Sequence, residues 1–201
     1  MKIAASSVNA LEHETTALYM ACVAGHWRTA KLLCEAGADA SIASEGMGLT
    51  CLHWLSNFPT EHIDEIAGLL ANRGAQPNAI QFEDGYRDHF PFVWRCGTPL
   101  HYTVQASNRE AAAALLRIGA DPLLRNTFDP YLYDINVRYM DSEDDMGEGE
   151  YCRVKHDVAG FHSIDLAAAN HDWRILEEML NQGISGPSVF GTDEEGYSPF
   201  H

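Results

Sequence analysis

A motif that recurs along the chain limits its possible folds more than any other feature. Residues 98–101 read Thr-Pro-Leu-His, and Gly-Ala-Asp follows at residues 119–121 after a pair of leucines. The same order of residues occupies 16–39, and the step from the threonine to the glycine is 21 residues in both copies. Self-similarity of this kind predicts an array of stacked units, because one such unit cannot bury its apolar face alone.

Two further copies and the start of a fifth follow the same template. The copy that begins at Thr50 has a spacing of 24 residues and holds three extra residues near positions 58–60. The copy that begins at His162 returns to a spacing of 21 residues, with histidine in the place of the threonine. Residues 193–201 read Asp-Glu-Glu-Gly-Tyr-Ser-Pro-Phe-His, which is the opening of another unit.

These motifs resemble the ankyrin repeat over about residues 8–125 and 157–201. The resemblance implies an all-α repeat fold, a solenoid of stacked antiparallel helix pairs with β-hairpin fingers. We expect one array over residues 1–201, with units at about 11–44, 45–80, 93–126 and 157–190, a partial unit at 193–201, and insertions at about 81–93 and 127–156.

The chemistry at the ends of each unit supports this interpretation independently. A threonine or serine ahead of a helix caps its free N–H groups, proline suits the first helical position, and the motif histidine is placed to hydrogen-bond neighbouring loops. Trp27 and Trp173 hold the same turn position in two units, so we expect both to be structural. The second helix of each unit is expected to end at a glycine in the left-handed conformation, namely Gly37, Gly74, Gly119 or Gly183.

Composition narrows the classes of partner and the cellular location. The formal net charge of -16 disfavours nucleic acid and anionic membranes as partners. The five cysteines have no paired spacing, which indicates reduced thiols. The N-terminal residues 1–14 lack the apolar run of a secretory signal, and no apolar stretch is long enough to span a bilayer. We therefore expect a cytoplasmic or nuclear protein.

Patterns that suggest catalysis, a cofactor or a metal are incomplete. The sequence His-Glu-Thr-Thr-Ala at 13–17 lacks the second histidine of a zinc-protease helix. Cys51, His53, Cys96 and His101 lie in or beside the repeated motif, which accounts for them without zinc. The Gly-Met-Gly at 46–48 lacks the third glycine of a dinucleotide loop, and the acidic run at 141–150 fails the calcium-loop pattern at Met146 and Cys152. We expect no catalytic residue, no cofactor and no metal site.

The resemblance places partner binding on the hairpin tips and on the exposed face of each first helix, which together line a concave surface. Aromatic residues and arginine are the usual energetic anchors of such interfaces. Trp94, Phe161 and Phe58 have an equal claim to packing within insertions or between fingers. The candidate partner-binding residues at the matching positions are Met47, Leu49, Asn57, Phe58, Trp94, Arg95, Gln105, Phe161, Asn170 and Tyr197.

Two hypotheses for function follow. The first is a non-catalytic scaffold that binds another protein with a basic patch, because the array is acidic. The alternative is a regulatory ankyrin segment of a larger multidomain enzyme such as a protein kinase, since the sequence ends within a unit at His201. Residues 8–10, Val-Asn-Ala, also resemble the tail of a preceding unit with one residue deleted.

Overall fold

A computed structural model of the chain describes residues 8–11, 15–44, 48–80, 97–126 and 162–182. Within them, helices follow one another in pairs, which we number units 1 to 4. The first helices of the units are α1 (Ala17–Val23), a 3₁₀ helix (Cys51–Asn57), α4 (Pro99–Gln105) and α6 (Ser163–Ala169). The second helices are α2 (Trp27–Glu35), α3 (Ile63–Asn72), α5 (Arg109–Arg117) and α7 (Trp173–Asn181), and a short 3₁₀ turn at Thr60–His62 precedes α3.

The helices form two layers. Each first helix contacts the first helix of the next unit, each second helix contacts the second helix of the next unit, and the two helices of a unit contact each other. The apolar position two residues after each capping residue is fully buried, and it holds Leu18, Leu52, Leu100 and Ile164. The prediction of an all-α repeat is confirmed. Among the residues described, none of the helices has the length and apolar character needed to cross a bilayer.

Threonine side chains begin the first helices of units 1 to 3, as the motif predicts. The Thr16 hydroxyl oxygen accepts a hydrogen bond from the Tyr19 backbone N–H at 3.1 Å. Thr50 and Thr98 are the N-caps of their helices, and each takes part in a capping box with the histidine three residues later. These contacts satisfy N–H groups that the first turn of a helix leaves without partners.

The second helices of units 1 to 3 end at glycines in the left-handed region. Gly37, Gly74 and Gly119 have φ angles of +94°, +93° and +95°, which confirms the prediction for these three. Glycine adopts this conformation without steric cost because it has no Cβ atom. Gly183 lies outside the described residues.

Two features of the helices differ from the predicted geometry. The first helix of unit 2 is a 3₁₀ helix that ends at Asn57, and its C-cap Phe58 has an extended φ of -82° and ψ of 152°, which fit a residue followed by Pro59. Within the described ranges no strand is formed, and an isolated antiparallel bridge joins Arg125 to His162.

The two equivalent tryptophans also differ from each other. Trp27 stacks on His62 of unit 2 with ring centroids 3.6 Å apart, so its expected structural role is supported. Trp173 leaves 64% of its surface exposed, and the Arg174 guanidinium lies 5.3 Å from its ring centroid. The expectation that Trp173 is a packed structural residue is therefore wrong in this conformation, because the described residues place nothing like His62 over its ring.

Candidate functional site

Half of the predicted partner-binding residues fall outside the described part of the chain. These residues are Met47, Trp94, Arg95, Phe161 and Tyr197. Their role in partner binding therefore stays a prediction. The other half lie in units 2, 3 and 4, where the structure distinguishes core positions from surface positions.

Leu49 and Phe58 are core residues. They are only 3% and 4% exposed, and both belong to the main apolar cluster. Leu49 is held in place because its backbone N–H and carbonyl oxygen both bond to Ser44. Phe58 turns away from solvent at the extended residue before Pro59. Both side chains lack the accessible area to contact a partner, so they are removed from the predicted set.

Asn57, Gln105 and Asn170 are exposed at the C-terminal ends of three consecutive first helices. Asn57 and Gln105 end the first helices of units 2 and 3, and Asn170 follows the last residue of α6 in unit 4. Because the first helices of consecutive units contact one another, these residues form a polar row along that layer. We call Asn57, Gln105 and Asn170 the inner polar row.

One member of the inner polar row also fixes a junction between units. The Asn57 side-chain amide donates a hydrogen bond to the Val23 carbonyl oxygen at 2.7 Å. Asn57 therefore ties unit 2 to unit 1, and its amide nitrogen is committed to that contact. The exposed side chains of Gln105 and Asn170 stay predicted partner-binding residues.

A buried histidine of unit 2 contacts the start of unit 3. His53 Nδ1 accepts a hydrogen bond from the Thr50 N–H at 3.0 Å, and His53 Nε2 lies 3.3 Å from the Gly97 carbonyl oxygen in unit 3. Burial lowers the pKa of His53 to about 4, although the Gly97 carbonyl oxygen opposes this shift. The neutral ring can then accept at Nδ1 and donate at Nε2, which joins two units without a metal.

The large insertion between units 3 and 4 has both of its ends fixed at one place. Arg125 pairs with His162 in an isolated antiparallel bridge. The Ser163 hydroxyl adds a hydrogen bond to the Pro122 carbonyl oxygen at 3.1 Å. The chain thus leaves the array and returns to it at adjacent points, beside the first helix of unit 4.

Sequence reasoning did not identify the asparagine that joins units 2 and 3. Asn78 Oδ1 accepts a hydrogen bond from the Asp121 N–H at 2.8 Å, and Asn78 Nδ2 donates to the Gly119 carbonyl oxygen at 3.2 Å. The available signal was weak, because the position four residues after the closing glycine holds Asn78 in unit 2 but Ser41 in unit 1 and Leu123 in unit 3.

The second helices form a charged surface whose groups pair between units. Lys31 bonds to Glu65 at 2.5 Å, which raises the pKa of Lys31 and lowers the pKa of Glu65. Arg109 bonds to Glu178 at 2.6 Å, and an open groove of about 220 Å³ lies beside this pair. Since ligand pockets usually have volumes of about 300–1,000 Å³, we assign no small-molecule site to this groove.

The described cysteines are buried, and the described residues hold no candidate cluster of metal-binding side chains. Cys22, Cys34 and Cys51 are buried free thiols, and a hydrogen bond with Cys51 together with burial raises the pKa of the Cys22 thiol. Within the described part of the chain, no group of three or more His, Cys, Asp or Glu side chains is arranged to hold a metal ion.

Comparison with known proteins places these units in a family. The ankyrin-repeat family model matches residues 13–45 and 97–127. The chain is 29% identical over 178 residues to the nuclear factor NF-kappa-B p105 subunit of Mus musculus, and 28% identical over 166 residues to that of Gallus gallus. These alignments cover 89% and 83% of this chain but only 15% and 14% of the relatives. The matched motifs and the paired helices agree, and the chain contains ankyrin repeats at residues 13–45 and 97–127.

Proposed function

We propose that the chain is a non-catalytic scaffold that binds another protein through the concave surface formed by its first helices and hairpin tips. Ankyrin repeats generally mediate protein–protein interaction. The observation that carries the proposal is the inner polar row, which places exposed side chains of three consecutive units side by side. We place the protein in the cytoplasm or nucleus, because the relatives are named as a subunit of a nuclear factor.

The inner layer suits protein binding better than the outer layer does. Charged groups of the second helices are engaged with one another across the unit junctions, as in the Arg109–Glu178 pair. On the inner layer, Gln105 and Asn170 are exposed next to the small exposed residues Ala106 and Ala169. Small side chains let a partner approach the backbone closely, and neighbouring amides provide both donors and acceptors.

Charge favours a partner with a basic patch. The chain has 29 Asp and Glu residues against 13 Lys and Arg residues, and more than half of the acidic residues lie outside the described ranges. Six of them fall within residues 141–150, in the insertion whose ends meet beside unit 4. A local excess of carboxylates accelerates the encounter with a positively charged surface.

A charge-matched pair of variants tests where the partner binds. Gln105→Lys with Asn170→Lys places two positive charges in the inner polar row, and Thr29→Lys with Asn72→Lys places two on exposed positions of α2 and α3. Proteins retained from cell extract by the immobilised chains are identified by mass spectrometry. The binding of each purified candidate is then measured by calorimetry.

We expect to capture a basic partner. The Thr29→Lys, Asn72→Lys variant should bind this partner as the wild type does. The Gln105→Lys, Asn170→Lys variant should bind it at least about tenfold more weakly, which corresponds to about 1.4 kcal/mol. Equal binding by both variants would refute the concave-surface proposal. If the wild-type chain retained no protein at all, the alternative would be favoured, namely a regulatory segment that contacts a catalytic domain of its own polypeptide.

A further inference from the structure

The turn between the two helices has the same hydrogen bonds in units 1, 3 and 4. In each of these units the residue nine positions after the N-cap of the first helix has a left-handed backbone, and it is Gly25, Ser107 or His171. Its N–H bonds to the carbonyl oxygen three residues earlier, and the next N–H bonds to the carbonyl oxygen five residues before it. Glycine is the usual left-handed residue in this arrangement, because it has no Cβ atom.

Ser107 and His171 carry side chains in this conformation. Their φ angles are +49° and +56°, and in the described part of the chain they are the residues other than glycine that have a positive φ. A Cβ atom in the left-handed region lies too close to the following carbonyl oxygen, which strains the backbone. Glycine at either position would keep the turn and remove this strain.

The residue after each strained position holds the turn in place. Asn108 Oδ1 accepts a hydrogen bond from the Ala111 N–H at 3.0 Å, and Asn108 Nδ2 donates one to the Ser56 carbonyl oxygen of unit 2 at 3.4 Å. Asp172 caps α7 in the same way. Strain of this kind persists where the surroundings fix the conformation, and it is common at functional sites.

The two strained side chains make no contribution to the fold that offsets the strain. Both residues are exposed, and among the described residues neither the Ser107 hydroxyl nor the His171 ring makes a hydrogen bond or an ion pair. In unit 1, by contrast, a Cβ atom at Gly25 would lie 2.2 Å from the Asn57 carbonyl oxygen. Units 3 and 4 therefore keep side chains where glycine would be more stable, which points to a role outside the fold.

Ser107 and His171 extend the inner polar row. Ser107 lies two residues after Gln105, and His171 follows Asn170 directly. Because α4 and α6 contact each other, the turns that follow these helices lie in adjacent units. Exposed amide, hydroxyl and imidazole groups are thus grouped at one end of the two helices, and such groups both donate and accept hydrogen bonds.

The first helices of units 3 and 4 offer almost no charge to a partner. Among the Asp, Glu, Lys and Arg residues of the chain, α4 contains none and α6 contains Asp165. The Asp165 carboxylate lies 2.7 Å from His162 Nδ1. A segment that contacts these two units therefore meets groups that match uncharged polar groups.

We propose that Ser107 and His171 are contact residues of the partner-binding surface and that they hydrogen-bond to uncharged polar groups of the partner, such as main-chain peptide groups. Their role rests on the proposed function, because it requires a partner on the concave surface. The basic patch of the partner then faces carboxylates elsewhere in the chain, while the segment next to these two turns is uncharged.

Glycine and alanine at the two positions separate the strain from the side-chain contacts. The Ser107→Gly, His171→Gly variant loses both, whereas the Ser107→Ala, His171→Ala variant loses the polar groups and keeps the strain. We expect the glycine variant to melt about 4 °C higher than the alanine variant, as followed by circular dichroism. Calorimetry with the purified partner that the wild-type chain captures should show at least about tenfold weaker binding for both variants. The loss should be the same at low and high salt, because the contacts involve no charge.

A matched control carries Thr29→Ala with Asn72→Ala, at exposed positions of α2 and α3, and should bind as the wild type does. Equal melting temperatures of the glycine and alanine variants would show that the turns are not strained and would overturn the proposal. Wild-type affinity of the alanine variant, or a loss that high salt removes, would overturn it too. The concave-surface proposal fails by a different result, namely wild-type affinity of the Gln105→Lys, Asn170→Lys variant. Capture of no protein by the wild-type chain would overturn both.

Discussion

His53 shows how one buried side chain couples stability to pH. Its ring joins Thr50 to Gly97 only while Nδ1 is unprotonated and accepts the Thr50 N–H. Burial disfavours the charged ring and lowers the pKa of His53 from 6.5 to about 4. The unfolded chain therefore binds a proton at a higher pH than the folded chain does.

We expect the contribution of His53 to be fully present above pH 6.5 and to be lost as the pH falls towards 4. At pH 5 the loss is about 2 kcal/mol. Urea unfolding at pH 7.5 and pH 5 measures it in the wild type and in His53→Gln, which should be less stable at pH 7.5 but less sensitive to pH. His26→Gln, at an exposed position in unit 1, should keep the wild-type sensitivity. An unchanged pH dependence in His53→Gln would show that other groups cause it.

Three cysteines report on opening of units 1 and 2. Cys22, Cys34 and Cys51 are no more than 1% exposed. A hydrogen bond with Cys51 and burial raise the pKa of Cys22, while burial raises the pKa of Cys34 to about 11. Cys22 and Cys34 therefore hold little reactive thiolate at neutral pH, and burial closes all three thiols to reagents in the folded chain.

We expect alkylation of these thiols at pH 8 to be at least about a hundredfold slower in the native chain than in urea, since reaction requires opening of the array. Peptide mapping by mass spectrometry gives the rate for each cysteine separately. Labelling of Cys22 at the same rate in native and unfolded chain would contradict the buried position of this thiol.

At the scale of the helix, unit 4 forms the capping box with a different pair of residues. His162 holds the place of the threonine, and Asp165 holds the place of the histidine. The Asp165 carboxylate accepts a hydrogen bond from the His162 N–H at 3.2 Å and lies 2.7 Å from His162 Nδ1. The same two positions thus begin α6 with a different residue pair, in which the side chain three residues after the N-cap again accepts the N-cap N–H.

Replacing the carboxylate should destabilise unit 4. We expect Asp165→Ala to cost about 1 kcal/mol of unfolding free energy, the usual cost of losing a helix cap. The double variant His162→Thr with Asp165→His restores the residue pair of units 2 and 3, and it should recover most of that loss. Chemical denaturation gives both values, with Glu177→Ala on an exposed position of α7 as the control. A double variant no more stable than Asp165→Ala would mean that the two arrangements are not equivalent.

Substitutions at two glycines distinguish the cost of backbone strain from the cost of a steric clash. Gly25 and Gly37 both have positive φ angles, of +66° and +94°. A Cβ atom at Gly25 would lie 2.2 Å from the Asn57 carbonyl oxygen of unit 2, whereas a Cβ atom at Gly37 would meet nothing within 4 Å. Gly37→Ala should therefore cost about 1 kcal/mol from the left-handed conformation alone. Gly25→Ala should cost at least about 2 kcal/mol more in the same denaturation experiment, because it forces unit 2 away from unit 1. Equal costs would contradict the close approach.

The parts of the fold that the sequence predicted are those set by local chemistry. A threonine cap or a left-handed glycine acts within a few residues, so Thr16 and Gly37 are recognisable without tertiary information. The sequence left Phe58 open between an interface anchor and local packing, because its exposure depends on neighbours. Phe58 turns inward at the end of a 3₁₀ helix, before Pro59. The same dependence separates the equivalent tryptophans, since Trp27 stacks on His62 of unit 2 whereas Trp173 is 64% exposed.

At the scale of the whole molecule, the ionic pairs and the densest acidic run lie in different parts of the chain. The described helices contain the paired ionic groups, whereas the densest acidic run lies in the insertion between Arg125 and His162. The residues that flank the insertion, Arg125 and His162, form a bridge beside the first helix of unit 4. Carboxylates at this spacing repel one another and attract cationic surfaces over about 8–10 Å at physiological salt.

The acidic run should act on the rate of partner encounter more than on the final contact. Replacing Asp141, Glu143, Asp144 and Asp145 by the corresponding amides should slow association with the captured partner and weaken its dependence on salt. Dissociation should change less, because the contacts of the bound state are retained.

Phe161→Ala provides the contrast, since loss of an interface anchor should instead speed dissociation, at a cost of about 2 kcal/mol or more. Stopped-flow measurements at two salt concentrations distinguish these effects, and circular dichroism confirms that each variant is folded. If neutralising the four carboxylates left the association rate unchanged, the run would have no part in steering the partner.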